Sequence, residues 1–161
     1  MVQSRFVGSF VWDTSALINL VNDYPSNARV FNPIWNEING HLKDNLMIAP
    51  KEVYNEVNLQ KDLCRTWCMQ HQGIFRSVTI EMATFMDSKV KPVYDGKYWR
   101  DKNINNRPWP DPWVIAMAAV EDATVISDER DENRQNKIPW VCQKVNVKSM
   151  TLFDFFRQIQ V

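Results

Sequence analysis

The chain has 161 residues, 45% hydrophobic and 24% charged, which suits one domain with a real hydrophobic core. Its 19 basic and 19 acidic residues cancel, which excludes a protein that coats nucleic acid through bulk charge; any RNA contact has to be a local patch. No stretch approaches the roughly 18 apolar residues of a membrane span, and the first twenty residues carry Arg5 and Asp13 in place of a clean apolar signal, so a cytoplasmic protein with reduced thiols is expected.

Phe10-Val11-Trp12 reads as a short buried strand, and Asp13-Thr14-Ser15 starts a helix through Ala16-Leu17-Ile18. Residues 31–44 have helical spacing, with Ile34, Ile38 and Leu42 on one face and Gly40 as a weak point. A second strand is expected over 46–49. Pro50 suits the first turn of a helix running to Gln72, with Gly73 where a C-cap glycine stands. Another helix covers 81–90, and 91–110 reads as a long loop. Asp111-Pro112 opens an apolar helix through Val120, followed by a strand at 124–127 and a polar loop over 128–137. A helical turn or more at 139–145, a strand at 147–151 and a helix at 152–159 close the chain. Strands separated by helices imply a single α/β domain whose parallel sheet is flanked by helices on both faces. In such sheets the site lies at the carboxyl ends of the strands, where the topology switches.

That rule selects among the 19 acids. Asp13 follows the first strand, Asp111 opens the apolar helix, and Asp128 and Glu129 follow the strand at 124–127. Each has a plain structural explanation: Asp13 and Asp111 suit helix N-caps, and Asp128 and Glu129 suit a solvated loop. Glu56 is harder to explain that way. Leu59, Leu63 and Trp67 fall within about 60° of it around a helix, with Val53 about 60° to the other side. A carboxylate in an apolar stripe needs a counter-charge; Lys51 and Lys61 lie off the stripe, and Glu52 is a rival on the same arc. Clustered carboxylates repel one another, and Mg²⁺ or Mn²⁺, hard cations that take carboxylate oxygens and water, remove that penalty. Such a site commonly hydrolyses phosphodiesters. The two histidines, His41 and His71, lie far from these segments.

Four segments carry a family likeness. Val11-Trp12-Asp13-Thr14-Ser15-Ala16-Leu17-Ile18 resembles the first motif of PIN domains, and Val53-Tyr54-Asn55-Glu56-Val57 the second. Asp111-Pro112-Trp113-Val114-Ile115-Ala116 resembles the third and Val125-Ile126-Ser127-Asp128-Glu129 the fourth. The tail, from Lys137-Ile138-Pro139-Trp140 to Leu152-Phe153-Asp154-Phe155-Phe156, is similar to a bacterial and archaeal PIN-like family of unknown function. The resemblance implies an α/β/α sandwich, Mg²⁺ or Mn²⁺ as cofactor, and endoribonuclease activity as the toxin of a toxin–antitoxin pair. It implies Asp13, Glu56 and Asp111 as metal ligands and Ser15 and Ser127 as supporting hydroxyls. Glu129 fits the fourth acid by spacing and Asp128 by residue type. An RNA substrate and an antitoxin encoded nearby are the implied partners, and a homodimer is left open.

Bases and aromatics interleave from Lys97 to Trp109. Arg100, Lys102 and Arg107 are candidate RNA contacts, and the tryptophans are read as packing the loop onto the core. Arg130 and Arg134, in the polar loop, are candidate contacts to RNA or to the antitoxin. Cys64, Cys68 and His71 share a helix face but lack the short-loop pairing of structural zinc, and the thiols read as small buried hydrophobes. Two other functions were weighed. A PIN-like interaction module without chemistry would not need the full acid set. A phosphotransferase with Asp13 as nucleophile would need an aspartate where Ser15 stands.

Overall fold

The computed structural model describes residues 8–129 and 133–159. Strand β1 (Phe10–Trp12) is apolar at all three positions and buried at each, as a strand covered on both faces must be. It pairs in parallel with β2 (Met47–Pro50) on one side and with β4 (Thr124–Ile126) on the other. Strands β3 (Phe75–Arg76) and β5 (Ser149–Met150) complete a five-stranded parallel sheet of order β3-β2-β1-β4-β5.

Helices α1 (Thr14–Asp23) and α2 (Asn32–Lys43) link β1 to β2, and α3 (Lys51–Val57) and α4 (Leu63–Gln70) link β2 to β3. Helices α5 (Ile80–Phe85), α6 (Gly96–Ile104) and α7 (Asp111–Val120) lead from β3 to β4; α8 (Ile138–Lys144) joins β4 to β5, and α9 (Leu152–Gln158) follows. Parallel crossovers are right-handed, so reversing the direction of travel after β3 moves the later helices to the other face. The contacts agree: α1 touches α3 and α4, while α7 packs on β1, β2 and β4 and touches α5 and α8. Helix α9 returns to the α1 side, where the Phe155 ring meets Phe10 and Trp12 edge-on at centroid distances of 5.3 and 5.2 Å. The expected single domain with helices on both faces is what the chain builds.

Three helices enter the next strand through the same turn. After α2, α7 and α8 the residue in the left-handed region is Asn45, Asp122 or Asn146, at φ 57°, 51° and 59°. The next N–H reaches back to the helix: Leu46 to the His41 carbonyl, Ala123 to Ala118 and Val147 to Cys142. These are Schellman turns, and short polar side chains take the place usually held by glycine.

The details differ from expectation in several places. Residues 91–110 are not a loop, because α6 runs through them, capped by the Asp95 carboxylate on the Tyr98 N–H at 3.0 Å. The expected helix from Pro50 to Gln72 breaks at 58–62. There Asp62 accepts from the Arg65 N–H at 2.9 Å to start α4, and Asn22 of α1 braces it by hydrogen bonds to Asp62 and the Cys64 N–H. Gly73 sits in a short 3-10 turn without a positive φ and so caps nothing. Edge strand β3 carried no alternation to announce it, having only two residues.

Candidate active site

Between β1 and β4 the chain leaves the sheet toward opposite faces, and this switch point is where an open α/β sheet forms a crevice. Asp13 stands there directly after β1, its N–H bonded to the Ile126 carbonyl of β4 at 2.9 Å. Glu129 follows β4 on the adjoining turn. Asp111 is the first residue of α7, and Glu56 lies in the last turn of α3.

The capping explanation fails for both aspartates. Asp13 occupies the N-cap position of α1, yet its carboxylate makes no cap bond, and Asp111 lies inside α7 with Pro110 at the cap. Where this chain needs side-chain caps it has them, in Asp62, Thr79, Asp95 and Thr151. The Asp13 side chain is held by other means. Its Oδ2 accepts from Ser15 Oγ at 2.9 Å and from Ser127 Oγ at 3.1 Å. Each serine is fixed in turn, Ser15 by the Asp128 N–H at 3.1 Å and Ser127 by the Glu129 N–H at 3.3 Å. Both serines therefore donate to the same oxygen of Asp13.

Electrostatics ties the acids together. Burial, then the charge of Glu129 and to a lesser degree Glu56, raises Asp13 to about 6 against the hydrogen bond from Ser15. Asp111 is pushed well above the usual carboxylate range by burial and by Asp13, Glu129 and Glu56. Glu56 is raised by burial and Glu129, while the Thr14 hydroxyl and Lys102 oppose the shift. Asp13, Glu56, Asp111 and Glu129 thus form one interacting group. The rival Glu52 is not among the charges these groups feel. Beneath them Cys142 of α8 is fully buried, and burial with the charges of Asp13, Glu129 and Asp111 holds its thiol protonated.

The expected setting of Glu56 differs in the structure. Glu56 does not lie in a buried apolar stripe: Leu59 is 64% exposed and Leu63 59%, because the helix that would have aligned them ends at Val57. Glu56 is half-buried, and Thr14 and Lys102 favour its charged form against burial and Glu129. Asp128 and Glu129 also separate. Asp128 accepts from Asn19 and from the Leu152 N–H at 3.1 Å, tying β4 to α1 and to the start of α9. Glu129 interacts with the other acids and accepts from the Ile138 N–H at 2.7 Å, which fixes it against the start of α8.

Of the basic candidates, Lys102 reaches the group: it lies over the Tyr98 ring at 5.4 Å and is felt by Glu56. Burial, then Asp111 and Glu129, raises the Tyr98 phenol, and Arg134 is close enough to oppose that shift. Arg100 lines an open cavity of about 520 Å³ with Lys91, Tyr94 and Trp99, and Arg107 is exposed. Arg130 lies outside the described residues. Tyr94 carried no signal of its own in the sequence, since only the fold brings the stretch around α6 alongside Asp111.

Among the described residues, no group of three or more His, Cys, Asp or Glu side chains forms a ready-made metal cage. The chemistry of the donors nevertheless fits a hard divalent cation. All four are carboxylates, and three are held toward protonation by burial and one another, with Lys102 opposing the shift at Glu56. Mg²⁺ usually takes one or two carboxylates and keeps several waters, so it needs no closed cage.

Comparison with solved structures matches eight chains. One belongs to the crystal structure of VapBC2 from Rickettsia felis bound to a DNA fragment from their promoter, with a TM-score of 0.53 and 12% identity. The alignment covers 88% of this chain and 97% of that one, and at this identity it speaks for the fold. Comparison with curated proteins returns no match. The family model for the domain of unknown function DUF4411 matches residues 10–161, nearly the whole chain and every segment of the acid group, and the chain belongs to that family.

Proposed function

We propose that this protein is a Mg²⁺- or Mn²⁺-dependent endoribonuclease of the PIN-like kind, acting as the toxin of a toxin–antitoxin pair. The observation that carries the reading is the acid group at the β1–β4 switch point. There Asp13 and Asp111 take helix-start positions without capping and interact with Glu56 and Glu129. The likeness in fold to a chain of the VapBC2 structure supports the PIN-like relation.

A bound divalent cation supplies charge neutralisation at the carboxylates and activation of water for attack on a phosphodiester. The chain's own residues do the rest. Ser15 and Ser127 fix one oxygen of Asp13 and so orient its carboxyl group. Glu129 is held by the Ile138 N–H, which keeps it facing Asp13 and Asp111 at the price of one helix-start donor. Lys102 and Arg134, at the rim, suit the phosphates flanking the cut linkage.

The test is cleavage of single-stranded RNA with Mn²⁺ and with chelator. Wild type should cut only with the metal. Asp13→Asn, which keeps shape and loses charge, should reduce the rate by at least about a hundredfold. Cleavage that persists in chelator sinks the metal mechanism. In the host, wild type expressed alone should slow growth and Asp13→Asn should not, with relief from a protein encoded beside it. Equal effects of the two chains would move the non-catalytic interaction module ahead.

A further inference from the structure

Resting on the nuclease reading, a second feature bears on how an RNA strand is held. Helix α6 turns two faces to different surroundings. Tyr98 and Lys102, one turn apart, lie on the side of the acid group, where Tyr98 responds to Asp111 and Glu129 and Lys102 is felt by Glu56. Gly96, Trp99 and Arg100 lie about a third of a turn round the same helix. They line the open cavity of about 520 Å³, together with Asp87, Lys91 and Tyr94. Tyr94 is the wall common to both sides. Its ring lines the cavity, while burial, then Asp111 and more weakly Glu129, raises its phenol. The cavity therefore opens beside the acid group, within reach of a neighbouring nucleotide of a strand cut there.

Its size is in the range of small-molecule sites, and its lining suits one nucleotide. Trp99 is half-buried and fixed by a four-ring cluster. Trp109 and Tyr94 meet it at centroid distances of 5.2 and 5.5 Å, and Tyr98 stacks on Tyr94 at 6.1 Å. A ring held in this way is oriented before a ligand arrives, which lowers the entropy cost of stacking a base on it. The Lys91 ammonium lies over the Trp99 ring at 5.7 Å, and Lys91 is exposed. Such a contact is weak at an exposed site; a base displaces it, and the ammonium then meets that nucleotide's phosphate. The Arg100 guanidinium lies over Gly96, where a Cβ would sit 3.6 Å from its Nη1. Lys91 and Arg100 outnumber Asp87 in the lining, so the cavity favours an anion in a chain of zero net charge. An aromatic platform flanked by cations is the combination that grips single strands, and the wall shared with the acid group favours RNA over a protein segment as the occupant.

We propose that this cavity takes one unpaired base of the RNA, beside the cut linkage, stacked on Trp99 with Lys91 and Arg100 on its phosphate. A paired base reaches the ring only by leaving its stack, which costs energy, so the cavity selects single-stranded RNA.

The experiment measures affinity in Ca²⁺, by anisotropy, for a short fluorescein-labelled 2′-O-methyl RNA and for the same strand without its bases. Trp99→Leu should lose roughly five- to a hundredfold for the first strand, the worth of one stacked base, and nothing for the second. Trp99→Phe, which keeps a flat ring, should recover part of the loss. Lys91→Gln and Arg100→Gln should weaken both strands alike and flatten the log–log salt dependence by about 0.7 each, with unfolding midpoints as in wild type. If Trp99→Leu does not fold, Trp99→Phe and the two cation variants decide. Trp99 variants that treat the two strands alike, or unchanged salt slopes in both cation variants, overturn the base pocket; intact cleavage in the same proteins leaves the nuclease reading standing. Wild-type RNA affinity in every variant, with weaker relief by the protein encoded beside it, assigns the cavity to that partner and overturns the proposal. A wild-type protein that neither binds nor cleaves RNA overturns the nuclease reading and this inference with it.

Discussion

Asp13 has a carboxyl group raised to about 6 from an ordinary 3.8 and a side chain held by two serines. Because the folded value is the higher one, folding favours the protonated form. The associated stability is full below about 4, declines as pH rises through about 6 and stays lost above it. A shift of that size corresponds to about 3 kcal/mol. Metal-free wild type should therefore become more resistant to urea between pH 7 and pH 5, and Asp13→Asn should lack much of that gain. Parallel pH profiles for the two proteins would contradict the assigned burial of charge. Asp128 has a structural role that urea unfolding can read: its oxygens serve Asn19 and the Leu152 N–H, so Asp128→Ala should cost about 1–3 kcal/mol of stability.

At the scale of elements, the left-handed residues after α2, α7 and α8 make a separate prediction. Asn146→Ala should destabilise by about 1 kcal/mol, because a Cβ without a polar end has no compensation in that conformation, whereas Asn146→Gly should be neutral or stabilising. Denaturant midpoints decide it; an alanine variant as stable as wild type would remove the turn's importance. Elements are also where the sequence was most and least readable. Strands β1, β2 and β4 showed as apolar runs because both of their faces are covered. The break between α3 and α4 was hidden, since Asn22, which braces the Asp62 cap, comes from α1, forty residues earlier. Glu56 was therefore picked out by an argument whose helix does not exist, although the likeness of its motif pointed to it independently. Helix α6 was missed because its apolar residues, Tyr98, Trp99 and Ile104, show no helical repeat.

For the whole molecule, the acid group concentrates like charge at the sheet's switch point, so a cation that joins it should act as a stabilising ligand. Saturating Mn²⁺ at pH 7.5 should raise the melting midpoint by several degrees, a binding gain of about 2–3 kcal/mol at this chain length. Asp13→Asn should lose most of the increase. A wild-type midpoint indifferent to Mn²⁺ would count against the carboxylates as its ligands. Asp13, Asp111 and Glu129 could be read from the sequence, because strand ends and helix starts are marked there. Their aromatic surroundings could not, because Tyr94 and Trp109 reach Asp111 only through the packing of four rings.

The order β3-β2-β1-β4-β5 also has a consequence in time. Strand β1 is the first to leave the ribosome and ends up in the middle of the sheet, with one neighbour, β2, made soon after it. Its other neighbour, β4, is made only after α7 has been read. Until then Asp13 lacks the Ile126 carbonyl and Ser127 that fix it, and Glu129 does not yet exist. A growing chain can assemble half a sheet, but it cannot assemble the acid group. On the proposed reading, synthesis order would act as a delay: no RNA could be cut before the segment that carries Ser127 and Glu129 had been made.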